Sequence, residues 1–286
     1  MKIKKDKIGD VEIFTSPGFR KKFKILLLFT TRRKGFSTDN YNSLNTAYHV
    51  GDNPLNVNKN RLKILNLLGC DKNTSLISLN QIHSNKILVI DEGFLKENFL
   101  SENKNSGFTN LGSSLLYSAD GMITDILKVP IMVMGADCNL ILMADVKNKV
   151  VAAVHAGWRG VLNQIILNAI NTFTSRFNSK PEDIYIFFGP SIRKCCFKVD
   201  ENVFNLFYRK FYEASFYEKI TDKEKNTNYF FIDLVNIMRN DIIKTRIPEK
   251  NIFDTGICTC CNNEDLFYSY RKEKETGRQA GIIMLE

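Results

Sequence analysis

An unbroken apolar run, Val150 to Val154, leads straight into His155-Ala-Gly-Trp-Arg-Gly160, and a helical repeat begins just after Gly160. Apolar residues without polar alternation, in so short a run, read as a strand buried on both faces. The following Leu162, Ile165, Ile166, Ala169, Ile170, Phe173 and Phe177 recur at helical spacing. A buried strand feeding an amphipathic helix is an α/β arrangement. Such folds commonly place a reactive side chain at the strand's C-terminal end, beside the helix N-terminus. His155 occupies that position. It is one of only three histidines, and Trp158 beside it is the only tryptophan.

Other apolar runs read as further strands: Ile25–Thr31, Ser75–Asn80, Lys86–Asp91, Ile131–Met134, Leu140–Ala144, Ile184–Phe188 and Phe230–Ile232. Asp52-Asn-Pro54 starts a helix that stops at Gly69. Val203–Phe211 and Leu234–Ile243 are helix candidates, and Phe267 to Leu285 reads as two strands around a basic turn. Residues 92–117 are polar and rich in Gly, Ser and Asn, which predicts a long loop of the kind that covers sites. No repeat or linker divides the chain. Residues 1–24, polar and basic with strand-like pieces such as Val11–Phe14, read as an N-terminal extension packed on a domain spanning residues 25–286.

The chain carries a net charge of +9. Lysine is spread along its whole length with no dense block beyond Arg20–Lys24, and no nucleic-acid-binding module is recognisable, so a nucleic-acid partner is not expected. Seven unevenly placed cysteines do not form a disulfide framework. The first apolar run, Ile25–Phe29, is too late and too short for a signal peptide or membrane span. These features predict a reduced, cytoplasmic, soluble protein with no membrane partner, and a monomer.

His83, Cys138 and His155 each lie within or just past an apolar strand-like run. Two imidazoles and a thiolate suit Zn²⁺ and leave a fourth position for water. The same residues also permit Cys138 as a nucleophile with His155 as its base, and packing roles for all three remain open on residue identity alone. Asp137 is a candidate acid/base or orienting group, or a turn residue. Arg159 at the helix start is a candidate anion contact, with Arg32, Arg271 and Arg278 as further cations. Cys258-Thr-Cys-Cys261 has C-x-x-C spacing, but Cys195-Cys196 is adjacent rather than spaced, so these thiols read as structural or incidental. The zinc deaminase signature, the Walker loop and the dinucleotide fingerprint are absent.

Taken in order, Phe29-Thr-Thr-Arg32, Ser43-Leu-Asn45, His49-Val-Gly-Asp52, Gln81-Ile-His83, Ala119-Asp-Gly121, Ala136-Asp-Cys138, Val154-His-Ala-Gly-Trp-Arg-Gly160, Gly189-Pro190, Cys258-Thr259, Ser269-Tyr-Arg271 and Thr276-Gly-Arg278 resemble the YfiH-like family, also called the polyphenol oxidase or laccase-domain family. The resemblance implies a single layered α/β domain of α-β-β-α type with mixed sheets, similar to cytotoxic necrotizing factor-type cysteine hydrolases. It implies a metal site, usually zinc, on His83, Cys138 and His155. It also implies phosphorolysis of adenosine, inosine and methylthioadenosine, and deamination of adenosine. Phosphate and substrate would then be held by Arg32, Asn45, Arg159 and Arg278, with Cys138, His155, Asp137 and Arg159 as the catalytic candidates. The alternative is a cysteine hydrolase or amidase that edits peptidoglycan precursors, with Cys138 as nucleophile and His155 as base. Serine at position 84 stands where the family usually has glycine, and Leu140 where it usually has proline. Three histidines are too few for a multicopper oxidase, so the laccase label does not fit a full copper cluster; a single copper in place of zinc remains compatible.

Overall fold

The structure is a computed structural model that describes residues 2–70, 74–99, 117–222, 227–261 and 265–286. In chain order it runs β1 (Lys4–Ile8), β2 (Val11–Thr15), α1 (Pro17–Phe23), β3 (Ile25–Thr30), α2 (Pro54–Leu67), β4 (Ile77–Ser78), β5 (Ile87–Val89), α3 (Glu92–Phe99) and β6 (Gly121–Thr124). There follow β7 (Ile131–Gly135), β8 (Asn139–Asp145), β9 (Val150–Ala156), α4 (Trp158–Leu162), α5 (Ile165–Phe177), β10 (Ile184–Phe188), β11 (Lys198–Val199) and α6 (Glu201–Lys210). The last part comprises β12 (Tyr217–Asp222), β13 (Thr227–Ile232), α7 (Leu234–Lys244), β14 (Ile252–Asp254), α8 (Tyr270–Glu273) and β15 (Gln279–Leu285).

Two six-stranded mixed sheets, ordered β1-β2-β3-β15-β7-β4 and β14-β10-β8-β9-β6-β5, lie face to face, and a small sheet β11-β13-β12 sits apart. The apolar runs lack polar alternation because both faces of their strands are covered. In β3, Ile25, Leu27 and Phe29 enter the layer between the sheets, while Leu26 and Leu28 pack towards Ile64 and Leu65 of α2. In β9, Val151 and Ala153 face the other sheet, whereas Ala152 and Val154 meet Ile166, Ala169 and Phe173 of α5. Each such side chain contributes about 1.5–3 kcal/mol on full burial. The layering is therefore helix, sheet, sheet, helix, as expected. β1 and β2, from the basic N-terminal stretch, extend the first sheet by pairing onto β3.

Three local readings change. The apolar repeat expected after Gly160 is split, with Leu162 closing α4 and Ile165 opening α5, because Gln164 takes a left-handed conformation (φ 57°) between them; spacing alone does not register one dihedral angle. Phe267–Arg271 is not a strand. The Gln279 side chain bonds both main-chain groups of Tyr268, in place of a strand partner, and the Ser269 side chain caps α8. Within 92–117, α3 takes up the first eight residues, and 100–116 lie outside the described residues. Among the described residues no helix is long and apolar enough to cross a membrane.

Candidate metal centre and cavity

His83, Cys138 and His155 reach one point from three strand ends. The side-chain amide of Gln81, past β4, bonds both main-chain groups of Met134 near the end of β7, at 2.7 and 2.8 Å. This clamp carries the next turn, with His83 at φ 59°, beyond the sheet. Cys138 closes the turn between β7 and β8, and His155 is the penultimate residue of β9. The ligand atoms of the three all lie within 4.8 Å of one another. Cys138 Sγ is 4.0 Å from His83 Nε2, and the two imidazoles stand edge to face at 5.0 Å. Gly157 makes this approach possible: a Cβ there would fall 2.7 Å from His83 Cδ2 and 3.2 Å from Cys138 Sγ.

Asp120, fully buried, organises the trio. One carboxylate oxygen accepts from His83 N and His155 Nδ1, both at 2.9 Å. The other accepts from Ser84 N at 2.5 Å, Ser84 Oγ at 2.7 Å and Ile82 N at 3.3 Å. The Asp120 carbonyl also accepts from His155 N at 2.7 Å. An ionised carboxylate only accepts, so the proton sits on Nδ1 and Nε2 is left for the centre. Serine at position 84, in place of the family's glycine, supplies one of these bonds through its hydroxyl. In the sequence Asp120 reads only as part of an Ala-Asp-Gly turn; its sole signal was membership in the family's ordered motifs.

Burial opposes ionisation of the Cys138 thiol, but attraction to His155 and hydrogen bonds from both imidazoles hold it down to about 6. Burial likewise opposes protonation of His155, yet the Cys138 thiolate and Asp120 lift it to about 9. Between these values the metal-free pair is a thiolate and an imidazolium. In zinc-free protein, Cys138 should therefore alkylate with a rate that rises through pH 6 and is flat above it, well below the ordinary thiol midpoint of about 8.5. Mass spectrometry of iodoacetamide-treated protein across pH measures this, and added zinc should protect the residue.

The trio opens into a cavity of about 510 Å³ whose walls include His49, Gln81, Trp158, Arg159, Phe197, Leu234, Tyr270, Arg271, Lys274 and Arg278. Burial, then the positive charge of Arg278 and Arg61, lowers the pKa of His49, so its ring is neutral. Arg61, itself fully buried, bonds Thr46 O at 2.8 Å and so ties the segment leading to His49 to α2. His49, from the loop before α2, thus joins the other two histidines at the cavity.

The expected anion contacts separate. Arg159 is exposed, lies over the Trp158 ring at 4.3 Å and lines the cavity. α4, which starts at Trp158, is one turn of five residues, so its N-terminal dipole adds little and the side-chain cations carry the attraction. Arg278 lines the cavity, but its Nη1 donates to Thr276 O and Gly277 O. Arg32 is not among the lining residues; it pairs with Glu273 at 2.7 Å and lies over Tyr268. Asn45 is buried and bonded to Ala47, Asp52 and Arg278 N, where it shapes the loop without reaching the cavity. Both Asp137 oxygens are engaged, one by Thr259 Oγ1 at 2.7 Å and one by Arg271 N at 2.6 Å. Arg271, one of the further cations expected from the sequence, and Lys274, which the sequence did not single out, lie on and just after the short helix α8 and add two cations.

Comparison with known proteins places this arrangement. A "Purine nucleoside phosphorylase YlmD" of Bacillus subtilis (strain 168) is 28% identical over 261 residues, covering 91% of this chain and 88% of its own. "Adenosine deaminase RL5", from an unknown prokaryotic organism, is 28% identical and covers 87% of this chain and 89% of its own. The crystal structure of YlmD from Geobacillus stearothermophilus superposes with a TM-score of 0.82 at 25% identity, over 99% of each chain. The family model described as multi-copper polyphenol oxidoreductase laccase matches residues 26–286, and the chain belongs to that YfiH-like family.

Proposed function

We propose that the protein is a purine nucleoside-processing enzyme working at the His83/Cys138/His155 centre. Its reactions would be phosphorolysis of adenosine, inosine and methylthioadenosine, and deamination of adenosine. The observation that carries this reading is one cavity that joins a His/Cys/His trio to four cations and an aromatic wall. The similarity to proteins named purine nucleoside phosphorylase and adenosine deaminase supports it.

The donor set fits zinc: two imidazoles and a thiolate within a metal's reach, with the tautomer of one set by a buried carboxylate. Bound there, zinc would supply a Lewis acid and a more acidic water; copper fits the same donors. The chain's own residues do the rest. Arg159, Arg271, Lys274 and Arg278 hold phosphate against the ribose. Trp158, Phe197 and Tyr270 offer faces and edges for a purine. In phosphorolysis a phosphate oxygen bonds to C1′ as the bond from C1′ to the base breaks and its electron pair leaves with the base. That departure is eased by a proton or hydrogen bond, for which His49 is a neutral imidazole outside the trio. A reducing compartment such as the cytoplasm would keep Cys138 as the thiol that a metal or a reaction needs.

Purified protein with zinc should convert inosine to hypoxanthine and ribose-1-phosphate only when phosphate is present, and should release ammonia from adenosine. No purine turnover with any of these metals would overturn the reading. Arg159 forms no ion pair among the described residues, so Arg159→Ala should leave folding unchanged. It should raise the KM for phosphate about tenfold, the loss of one charge-assisted contact. The acidified Cys138 thiol beside His155 favours the second reading, an amide hydrolase of cell-wall precursors. Phosphate-independent amide cleavage by a protein inert towards nucleosides would select it.

A further inference from the structure

A second cluster of metal-binding side chains lies outside the His/Cys/His trio. Cys195 and Cys196 sit in the turn before β11, and Cys258 and Cys261 in the loop after β14. The adjacent pair and the C-x-x-C pair, unremarkable apart, bring their four sulfurs within 4.8 Å of one another. Cys195 Sγ and Cys261 Sγ are 3.6 Å apart.

The frame that brings them together is specific. Ser191 bridges Cys258, with Ser191 N donating to Ile257 O and Thr259 N donating to Ser191 O. Arg193 ties the same two loops, donating to both oxygens of Asp254 at 2.7 and 2.9 Å, and to Ile257 O and Gly189 O.

We propose that Cys195, Cys196, Cys258 and Cys261 bind a structural zinc ion, distinct from the His83/Cys138/His155 centre. Tetrahedral zinc with Zn–S bonds of about 2.3 Å places its sulfurs about 3.8 Å apart, which matches this spacing. A polynuclear iron–sulfur cluster would hold the thiolates further apart. The ligands must lose their protons, so binding releases protons to solvent and no other co-reactant is needed. The position gives the ion a role. Thr259, inside the C-x-x-C loop, donates to Asp137 beside Cys138, and Arg271 Nη1 donates to Cys196 O at 2.8 Å. Zinc here would fix the wall of the cavity that carries Ile192, Phe197 and Arg271, whatever the substrate.

The test is metal content and cobalt spectroscopy on the full chain, prepared under reductant. Wild-type protein should bind two zinc ions, and each of His83→Ala and Cys261→Ser should retain one. With cobalt in place of zinc, the intense sulfur-to-metal charge-transfer bands of a tetrathiolate site should persist in His83→Ala and vanish in Cys261→Ser. Should Cys261→Ser fail to fold, the wild-type and His83→Ala spectra decide alone. The proposal is overturned if His83→Ala binds no metal. It is equally overturned if its cobalt spectrum lacks tetrathiolate bands.

Discussion

Replacing Asp120 with alanine should weaken zinc binding at the His83/Cys138/His155 centre by about 10- to 100-fold. It should also destabilise the protein by about 3–5 kcal/mol, the range for removing one partner from a buried charged pair. The carboxylate is fully buried and accepts from His83, His155, Ser84 and Ile82. Its loss leaves four sets of donors without an acceptor, so both the turn that carries His83 and the orientation of His155 are released. Burial alone would raise the Asp120 carboxyl, but hydrogen bonds from His155 and Ser84 hold it below its ordinary value. The sign follows: its contribution is present at neutral pH and is lost only as pH falls below about 4. Asp120→Asn should be intermediate, since an amide keeps one acceptor but places an NH₂ against existing donors. Zinc competition with a chelator and urea unfolding measure the two effects. Wild-type zinc affinity in Asp120→Ala would remove the carboxylate from this account.

Cys138→Ala should lower kcat/KM for nucleosides by about 10³-fold, which corresponds to about 4 kcal/mol and is the scale of a metal ion's contribution to transition-state charge stabilisation. The fold should survive, because Cys138 sits half-buried in a turn whose main chain is braced by Asp137, Thr259 and Ile192. His155 loses the thiolate that lifts it, so its pKa should fall from about 9 towards its ordinary value. His83→Ala should cause a loss of similar size, and the double variant little more, because residues that act as one unit are not additive. Circular dichroism checks the fold, nucleoside assays the rate and NMR titration the imidazole. Full nucleoside turnover in Cys138→Ala would place the chemistry elsewhere.

Much of the architecture was legible because it is written in local patterns. The runs at Ile25, Ile131, Leu140, Val150 and Ile184 gave strands at nearly their observed bounds, since residues covered on both faces must be apolar throughout. The capped, proline-led start before Pro54 gave α2 for an equally local reason. His83, Cys138 and His155 stood out by residue type and by the motifs around them. Arg32 looked like an anion contact because its capture by Glu273 spans 241 positions of chain. The break at Gln164 was invisible because the apolar repeat passes through it unchanged.

The sequence by itself determined which stretches are buried, that helices and sheets are layered, and which few side chains carry unusual chemistry. Only the tertiary structure decided their company. It set Asp120 beneath two histidines, brought His49 and Lys274 to the same cavity, withdrew Arg32 and Asn45 from it, and gathered four thiols from two distant loops. The physical reason is range. Propensity and periodicity act between neighbours along the chain, whereas hydrogen bonds, ion pairs and metal coordination act over a few ångströms of space, whatever length of chain lies between the partners.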